Sequence, residues 1–273
     1  MSDTGVPPND HAAAAPIDDP AGTILALDFD GTLAHIVDDP TEAYAHHESV
    51  AALGRLGRVL GAVTIITGRP VAQALELGGF ADVPGLERLT IHGQYGAEHW
   101  DAAQVGPGSV PARPAAIGSL AARLPEVLRD CGAESARVED KGLALVVHTR
   151  GLRDGAADLL EAPLRGLADD LGLCFEPGRQ VFELRASASD KGVALRKAVA
   201  ETAARTVVFA GDDLGDLPAF DAVDALRTDG LRGLLVCSAS EEQDALVARA
   251  DVVLDGPDEV AAWLTAWADA LDA

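Results

Sequence analysis

The chain has 273 residues, 48% hydrophobic and 24% charged, which is length enough for two domains and an ordinary globular composition. Its formal net charge of −23 disfavours nucleic acid and anionic membrane surfaces as partners, and it repels phosphorylated molecules unless cations gather locally. Cys131, Cys174 and Cys237 match no metal-ligand spacing, and no segment reads as a secretion signal or a bilayer span, so a reducing cytoplasm is expected.

Residues 1–20, polar, acidic and rich in Ala and Pro, predict a disordered tail. Ile24-Leu25-Ala26-Leu27 reads as a buried parallel strand within 23–28, running into Asp28-Phe29-Asp30-Gly31-Thr32. Val50, Leu53, Leu56 and Leu60 have helical spacing over 48–60, and 63–66 is a second strand. Pro70 opens a helix in which Val71, Leu75 and Leu77 face inward, and 89–92 is a third strand. Alternating strands and helices predict an α/β domain whose parallel sheet carries helices on both faces. Gly106-Pro107-Gly108-Ser109-Val110-Pro111 marks a hinge. Beyond it, helices over 112–130 and 153–171 mix with hairpin strands near 134–139, 143–148, 173–176 and 180–184. That rhythm predicts a small inserted α+β module over 109–183, with core segments 21–108 and 184–273. The α/β pattern resumes with a helix over 191–203, a strand over 206–210, a helix over 216–226, a strand over 234–237 and a final helix from 257.

The chemistry-bearing residues sit at strand ends. Asp28 and Asp30, two apart on an extended chain, point the same way at the carboxyl end of a strand, where open α/β sheets bind ligands. Two carboxylates so close repel unless a cation lies between them. A second buried strand delivers Gly211-Asp212-Asp213 and Asp216, so acids converging from both strands would offer hard oxygen ligands for Mg²⁺. Thr67, at the end of the second strand, is placed to bind phosphoryl oxygens with the amides of the next helix, to cap that helix, or to do both. Lys191 opens a helix, where a cation opposes the dipole and calls for an acidic centre opposite. Together these residues suggest phosphoryl transfer: Asp28 attacks phosphorus, and Asp30 protonates the leaving alcohol and later deprotonates water. Mg²⁺, Thr67 and Lys191 neutralise charge on the transferring group.

The four segments Asp28-Phe29-Asp30-Gly31-Thr32, Thr67, Lys191 and Gly211-Asp212-Asp213 resemble the four motifs of the haloacid-dehalogenase superfamily of phosphohydrolases, with the insertion at the type II cap position. Ile66-Thr67-Gly68-Arg69, His92 to Glu98, Val138 to Gly142, Val147 to Arg150, and Phe182 to Arg185 with Asp190-Lys191-Gly192 are similar to signatures of trehalose-6-phosphate phosphatases, whose cap is of type IIB. The resemblance covers about residues 22–265. It implies Asp28 as nucleophile, Asp30 as acid/base, and Mg²⁺ on the Asp28 carboxylate, the Asp30 carbonyl and the Asp212 carboxylate, with Asp213 or Asp216 behind them. It puts Arg69 at the rim of the site, and Glu139, Lys141 and Glu183 on the disaccharide. His148 is either a further sugar ligand or a packing residue of the cap, and Arg150 either touches substrate or anchors the cap. Without the resemblance, the cap positions would read equally well as a solvated hairpin face.

Gly215-Asp216-Leu217-Pro218 departs from the Thr-Asp-Glu-Asp usual in the family, removing a side chain and a carboxylate near the metal loop. The function expected is hydrolysis of trehalose 6-phosphate by a monomer, linked to a separate trehalose-phosphate synthase. Sucrose 6-phosphate, glucosyl-3-phosphoglycerate or a mannosyl counterpart are the alternative substrates. A mutase would need a second phosphate-binding cluster of basic residues, which the sequence does not show, and a non-catalytic sugar-phosphate sensor would not be expected to keep both Asp28 and Asp30.

Overall fold

Thr23–Leu27 forms strand β1, and all five of its residues are buried. Leu25 and Leu27 enter one hydrophobic core while Ile24 enters another, as a strand covered on both faces requires. The computed structural model describes residues 18–104, 108–153, 155–178, 180–239 and 244–273. The chain continues through α1 (His47–Leu56), β2 (Ala62–Ile66), α2 (Val71–Gly78), β3 (Thr90–Gly93) and β4 (Glu98–Asp101).

A second compact unit follows, from Ser109 to Ser189. It holds α3 (Ala115–Asp130), β5 (Arg137–Asp140), β6 (Ala144–His148), α4 (Ala156–Leu171), β7 (Cys174–Gly178) and β8 (Val181–Arg185). Its antiparallel sheet runs β5-β6-β8-β7. Leu120 and Leu124 of α3 and Leu160 and Leu164 of α4 pack with Val147 and Phe182 on one face of that sheet. Each such side chain contributes roughly 1.5–3 kcal/mol by leaving water.

The first unit resumes at Asp190 with α5 (Lys191–Thr202), β9 (Thr206–Gly211), α6 (Leu217–Thr228), β10 (Arg232–Ser238), α7 (Asp244–Val247), β11 (Val252–Leu254) and α8 (Gly256–Ala270). Its sheet runs β11-β10-β9-β1-β2-β3-β4, parallel except for β4. Winding outward from β1 in both directions creates a switch point at the carboxyl ends of β1, β2 and β9, where side chains from three strands can meet. The α/β class expected from the sequence is the class observed.

Three details differ from expectation. The second unit extends to Ser189 rather than 183. Strand β8 lies between β6 and β7, and Arg185 donates to the carbonyls of Ser187 and Ser189, which keeps the following residues with that unit. Residues 18–20, assigned to a disordered tail, are ordered: Asp19 caps the short helical turn Pro20–Gly22 and accepts from Arg205 Nε at 2.7 Å. Residues 1–17 of that tail, and Gly106 and Pro107 of the expected hinge, lie outside the described residues. Strands β4 and β11 and helix α7 had no counterpart in the sequence reading. Among the described residues no helix is long and apolar enough to cross a membrane.

Candidate active site

Asp28 leaves β1 with its amide donating to Ala210 O of β9 at 2.9 Å, so the two acidic strand ends are held in register. Lys191, the first residue of α5, reaches Asp28 Oδ1 at 2.9 Å and Asp216 Oδ1 at 2.8 Å. Asp190 caps the same helix by accepting from the Val193 amide at 2.8 Å. An acid thus stands on each side of a cation that would otherwise oppose the helix dipole.

Asp28, Asp212 and Asp216 bring carboxylate oxygens within 4.8 Å of one another. Burial pushes Asp28 well above the usual carboxylate range against the pull of Lys191. Asp212 rises well above it through burial and the charges of Asp28 and Asp216. Burial opposes charge on Lys191 too, but Asp216, Asp28 and Asp213 outweigh it and hold the ammonium well above its ordinary value. Three carboxylates against one ammonium leave two negative charges uncompensated if all ionise, and every donor is a hard oxygen.

The three acids are not equivalent. Asp216 is fully buried, and its second oxygen accepts from the amides of Asp212 at 3.0 Å and Asp213 at 3.1 Å. With Lys191 on the other oxygen, Asp216 shapes the loop and seats the lysine. The Asp212 carboxylate accepts no hydrogen bond from the described residues, which leaves it and Asp28 as the acids suited to a cation. Asp213 is exposed and caps the turn Leu214–Asp216 through the Gly215 amide at 2.9 Å.

Thr67 is 1% exposed at the end of β2, and its hydroxyl accepts from the Arg69 amide at 3.1 Å. The residue preceding α2 is Pro70, and the first amide of that helix, Val71, donates to Glu98 Oε2 at 2.7 Å. The helix start expected to help bind phosphoryl oxygens therefore already holds a carboxylate at this amide. Glu98 comes from β4 and also accepts from Gln94 Nε2 at 2.5 Å. In the turn between β3 and β4, Gln94 (φ 45°) and Tyr95 (φ 58°) are both left-handed. Such residues cost about 1–3 kcal/mol each and persist where surroundings dictate them; here Gln94 N donates to Arg69 O and Tyr95 N to Thr67 O, both at 2.9 Å. Sequence reasoning quoted Gln94 and Glu98 only as part of a signature. Their signal was an acid in the strand next to a helix with no polar cap of its own.

Arg69, expected at the rim, is only 6% exposed. Its Nε and Nη2 donate to the two oxygens of Asp30 at 2.7 and 2.6 Å, because the turn after β2 directs the side chain across the end of β1.

The remaining predicted residues belong to the second unit. Glu139, Val146, Glu183 and Glu176 are successive cross-strand partners, so they share the sheet face opposite to Val147 and Phe182. On that face Lys141 Nζ lies 3.4 Å from Glu183 Oε2, and His148 Nε2 lies 2.9 Å from Glu139 Oε2. Arg150 is exposed and donates to Gln180 Oε1 at 3.0 Å, at the other end of the paired strands β6 and β8 from Lys141. It ties two strand ends together and does not join the Lys141–Glu183 pair.

Comparison with known proteins bears on what this arrangement is for. A protein of Mycobacterium tuberculosis described as an uncharacterized glycosyl hydrolase is 37% identical over 213 residues, covering 72% of this chain and 15% of that protein. The trehalose-phosphate phosphatase of Mycobacterium marinum is 30% identical over 246 residues, covering 86% of this chain and 58% of that protein. The chain thus spans less than two thirds of the length of these relatives. A solved structure of a trehalose-6-phosphate phosphatase related protein superposes with a TM-score of 0.69 at 22% identity, covering 91% of this chain and 98% of that one, which shows a shared fold. Residues 26–251 match the trehalose-phosphatase family, a stretch that runs from within the strand leading to Asp28 to the residue before β11. On that match the chain belongs to the trehalose-phosphatase family.

Proposed function

We propose that this protein hydrolyses trehalose 6-phosphate to trehalose and inorganic phosphate, with Mg²⁺ bound, through an aspartyl-phosphate on Asp28. The observation that carries the reading is the buried pairing of Lys191 with both Asp28 and Asp216 at the end of a parallel strand. An ammonium so placed holds a nucleophilic carboxylate in position and faces the charge that develops on a transferring phosphoryl group.

An Asp28 oxygen attacks phosphorus as the sugar oxygen leaves with a proton from Asp30. Water then attacks the phosphorus of the aspartyl-phosphate and gives a proton to Asp30, which frees phosphate and restores both acids. The uncompensated negative charge and the all-oxygen donor set fit a divalent cation. Its holders would be the carboxylates of Asp28 and Asp212 and the carbonyl of Asp30, with Asp213 and Asp216 behind them. When bound, Mg²⁺ supplies charge neutralisation for the phosphoryl oxygens. Thr67 would add a hydroxyl contact to the same oxygens.

Substrate choice would lie with Glu139, Lys141, His148 and Glu183, whose charged donors and acceptors suit a sugar with many hydroxyls. Arg150 would act by bracing their sheet. The same reading makes the protein a cytoplasmic monomer supplied by a separate trehalose-phosphate synthase.

The test is phosphate release from trehalose 6-phosphate, sucrose 6-phosphate, glucosyl-3-phosphoglycerate and glucose 6-phosphate, with Mg²⁺ and after chelation, using Asp28→Asn as control. Preference for trehalose 6-phosphate, lost on chelation and in the variant, is expected. Preference for another ester would overturn the substrate, and no turnover at all would overturn the hydrolase.

A further inference from the structure

We propose that Arg69 is a positioning residue for Asp30 and not a ligand of the substrate. This rests on the hydrolase reading above, in which Asp30 is the acid and base. Arg69 presents two parallel N–H groups to both oxygens of Asp30, at 2.7 and 2.6 Å. Two-point contact with a planar guanidinium fixes the plane of the carboxylate as well as its place, which a single-point ammonium does not do.

The arginine is itself fixed at several points. Its Nη1 donates to Pro40 O at 2.8 Å, in the loop that follows the nucleophile turn. Its Cζ lies 5.5 Å from the centroid of the Phe29 ring, between the two catalytic acids in sequence. Its amide donates to Thr67 Oγ1 at 3.1 Å, and its carbonyl accepts from the strained Gln94 amide at 2.9 Å. Asp30, by contrast, has a side chain 40% exposed, while that of Arg69 is 7% exposed. An acid with that much room has other rotamers open to it, and misplacing a reacting group by 1 Å can cost about a hundredfold in rate. Arg69 removes that freedom. A ligand of the substrate would instead need its guanidinium presented to solvent.

The two roles separate in a double-mutant cycle. Wild-type protein, Arg69→Ala, Arg69→Lys, Asp30→Asn and the Arg69→Ala/Asp30→Asn pair would be compared on trehalose 6-phosphate, by kcat, KM and first-turnover alcohol release. Release of nitrophenol in the first turnover of p-nitrophenyl phosphate serves as control, since that leaving group departs without a proton. Positioning predicts that Arg69→Ala lowers kcat about a hundredfold with KM within about threefold. Arg69→Lys should fall between it and wild type, the nitrophenol burst should survive, and Arg69→Ala should add no loss in the Asp30→Asn background. If Arg69→Ala fails to fold, Arg69→Lys and the Arg69→Lys/Asp30→Asn pair carry the same comparison. A raised KM with kcat preserved, or an equal loss in both backgrounds, overturns the positioning role alone. Wild-type protein that turns over no phosphate ester overturns the hydrolase reading, and this inference with it.

Discussion

Gly31 and Asp212 compete for one space: a Cβ on Gly31 would stand 2.0 Å from Asp212 Oδ2. The backbone at Gly31 is also left-handed, with φ +72°. Its amide donates to Ala34 O at 2.7 Å, and its carbonyl accepts from Ser238 Oγ at 2.6 Å, so the turn has little slack. Gly31→Ala should therefore cost about 1–2 kcal/mol in backbone conformation alone. That is a fall in Tm of roughly 2–8 °C for a protein of this size. It should also push Asp212 aside and weaken stabilisation by added Mg²⁺. Thermal melts with and without Mg²⁺ check both effects, and a variant that matches wild type in the two would contradict this account of the turn.

Lys191 serves stability as well as chemistry. Replacing it by Met keeps the volume of the side chain but leaves Asp28 and Asp216 buried without their cation. Removing one partner of a buried pair costs about 3–5 kcal/mol. All three tryptophans, Trp100, Trp263 and Trp267, belong to the first unit, so their fluorescence follows this part of the molecule. Urea unfolding of the cation-free protein, followed that way, should show Lys191→Met destabilised by that amount. An unchanged midpoint would mean that the acids are protonated or better solvated than their burial implies.

What the sequence made legible were features carried by local pattern. Ile24-Leu25-Ala26-Leu27 is apolar on both faces because both faces of β1 are covered, and such a run advertises itself. The acids at the ends of β1 and β9 followed from those strands. Strand β4 was missed because Glu98-His99-Trp100-Asp101 is a polar edge strand without clean alternation. With it went the role of Glu98, whose target, Val71, is 27 residues away. Arg69 was legible as a residue near the site but not as the partner of Asp30, 39 residues distant, since side-chain direction depends on how two strand ends converge. Likewise Asp216 and Asp213 look alike in sequence, and only the fold buries one and exposes the other.

His92 makes the first unit sensitive to acid. The side chain is 1% exposed on β3, its ring lies 4.8 Å from that of His99, and neither ring nitrogen has a partner among the described residues. Burial, with the nearby charges of His99 and Lys197, lowers its pKa from 6.5 to about 4. Between those values the unfolded chain binds a proton that the folded one refuses, so stability falls as pH drops through that window. At 1.36 kcal/mol per unit, the full loss from this residue is about 3 kcal/mol. His92→Phe should flatten the dependence of the tryptophan-detected unfolding midpoint on pH between about 6.5 and 4. Equal slopes in variant and wild type would place the acid sensitivity elsewhere.

On the second unit, Lys141 and Glu183 lie 3.4 Å apart on the sheet face without helices, their side chains 14% and 10% exposed. Neither group can act on phosphorus in the proposed mechanism, so their substitution should be felt through binding of the sugar. A hydrogen bond to a charged group is worth about 1.5–3 kcal/mol, and about 1.4 kcal/mol is tenfold in affinity. Glu183→Gln and Lys141→Ala should therefore raise KM for trehalose 6-phosphate by about tenfold to a hundredfold, and leave p-nitrophenyl phosphate, which has no sugar, nearly unchanged. Arg150→Ala, which removes the exposed link to Gln180, should shift KM for either ester by less than about threefold. Equal losses on both esters from Glu183→Gln would mean that this face supports the phosphoryl-transfer step itself, and sugar recognition would then have to be sought on other residues.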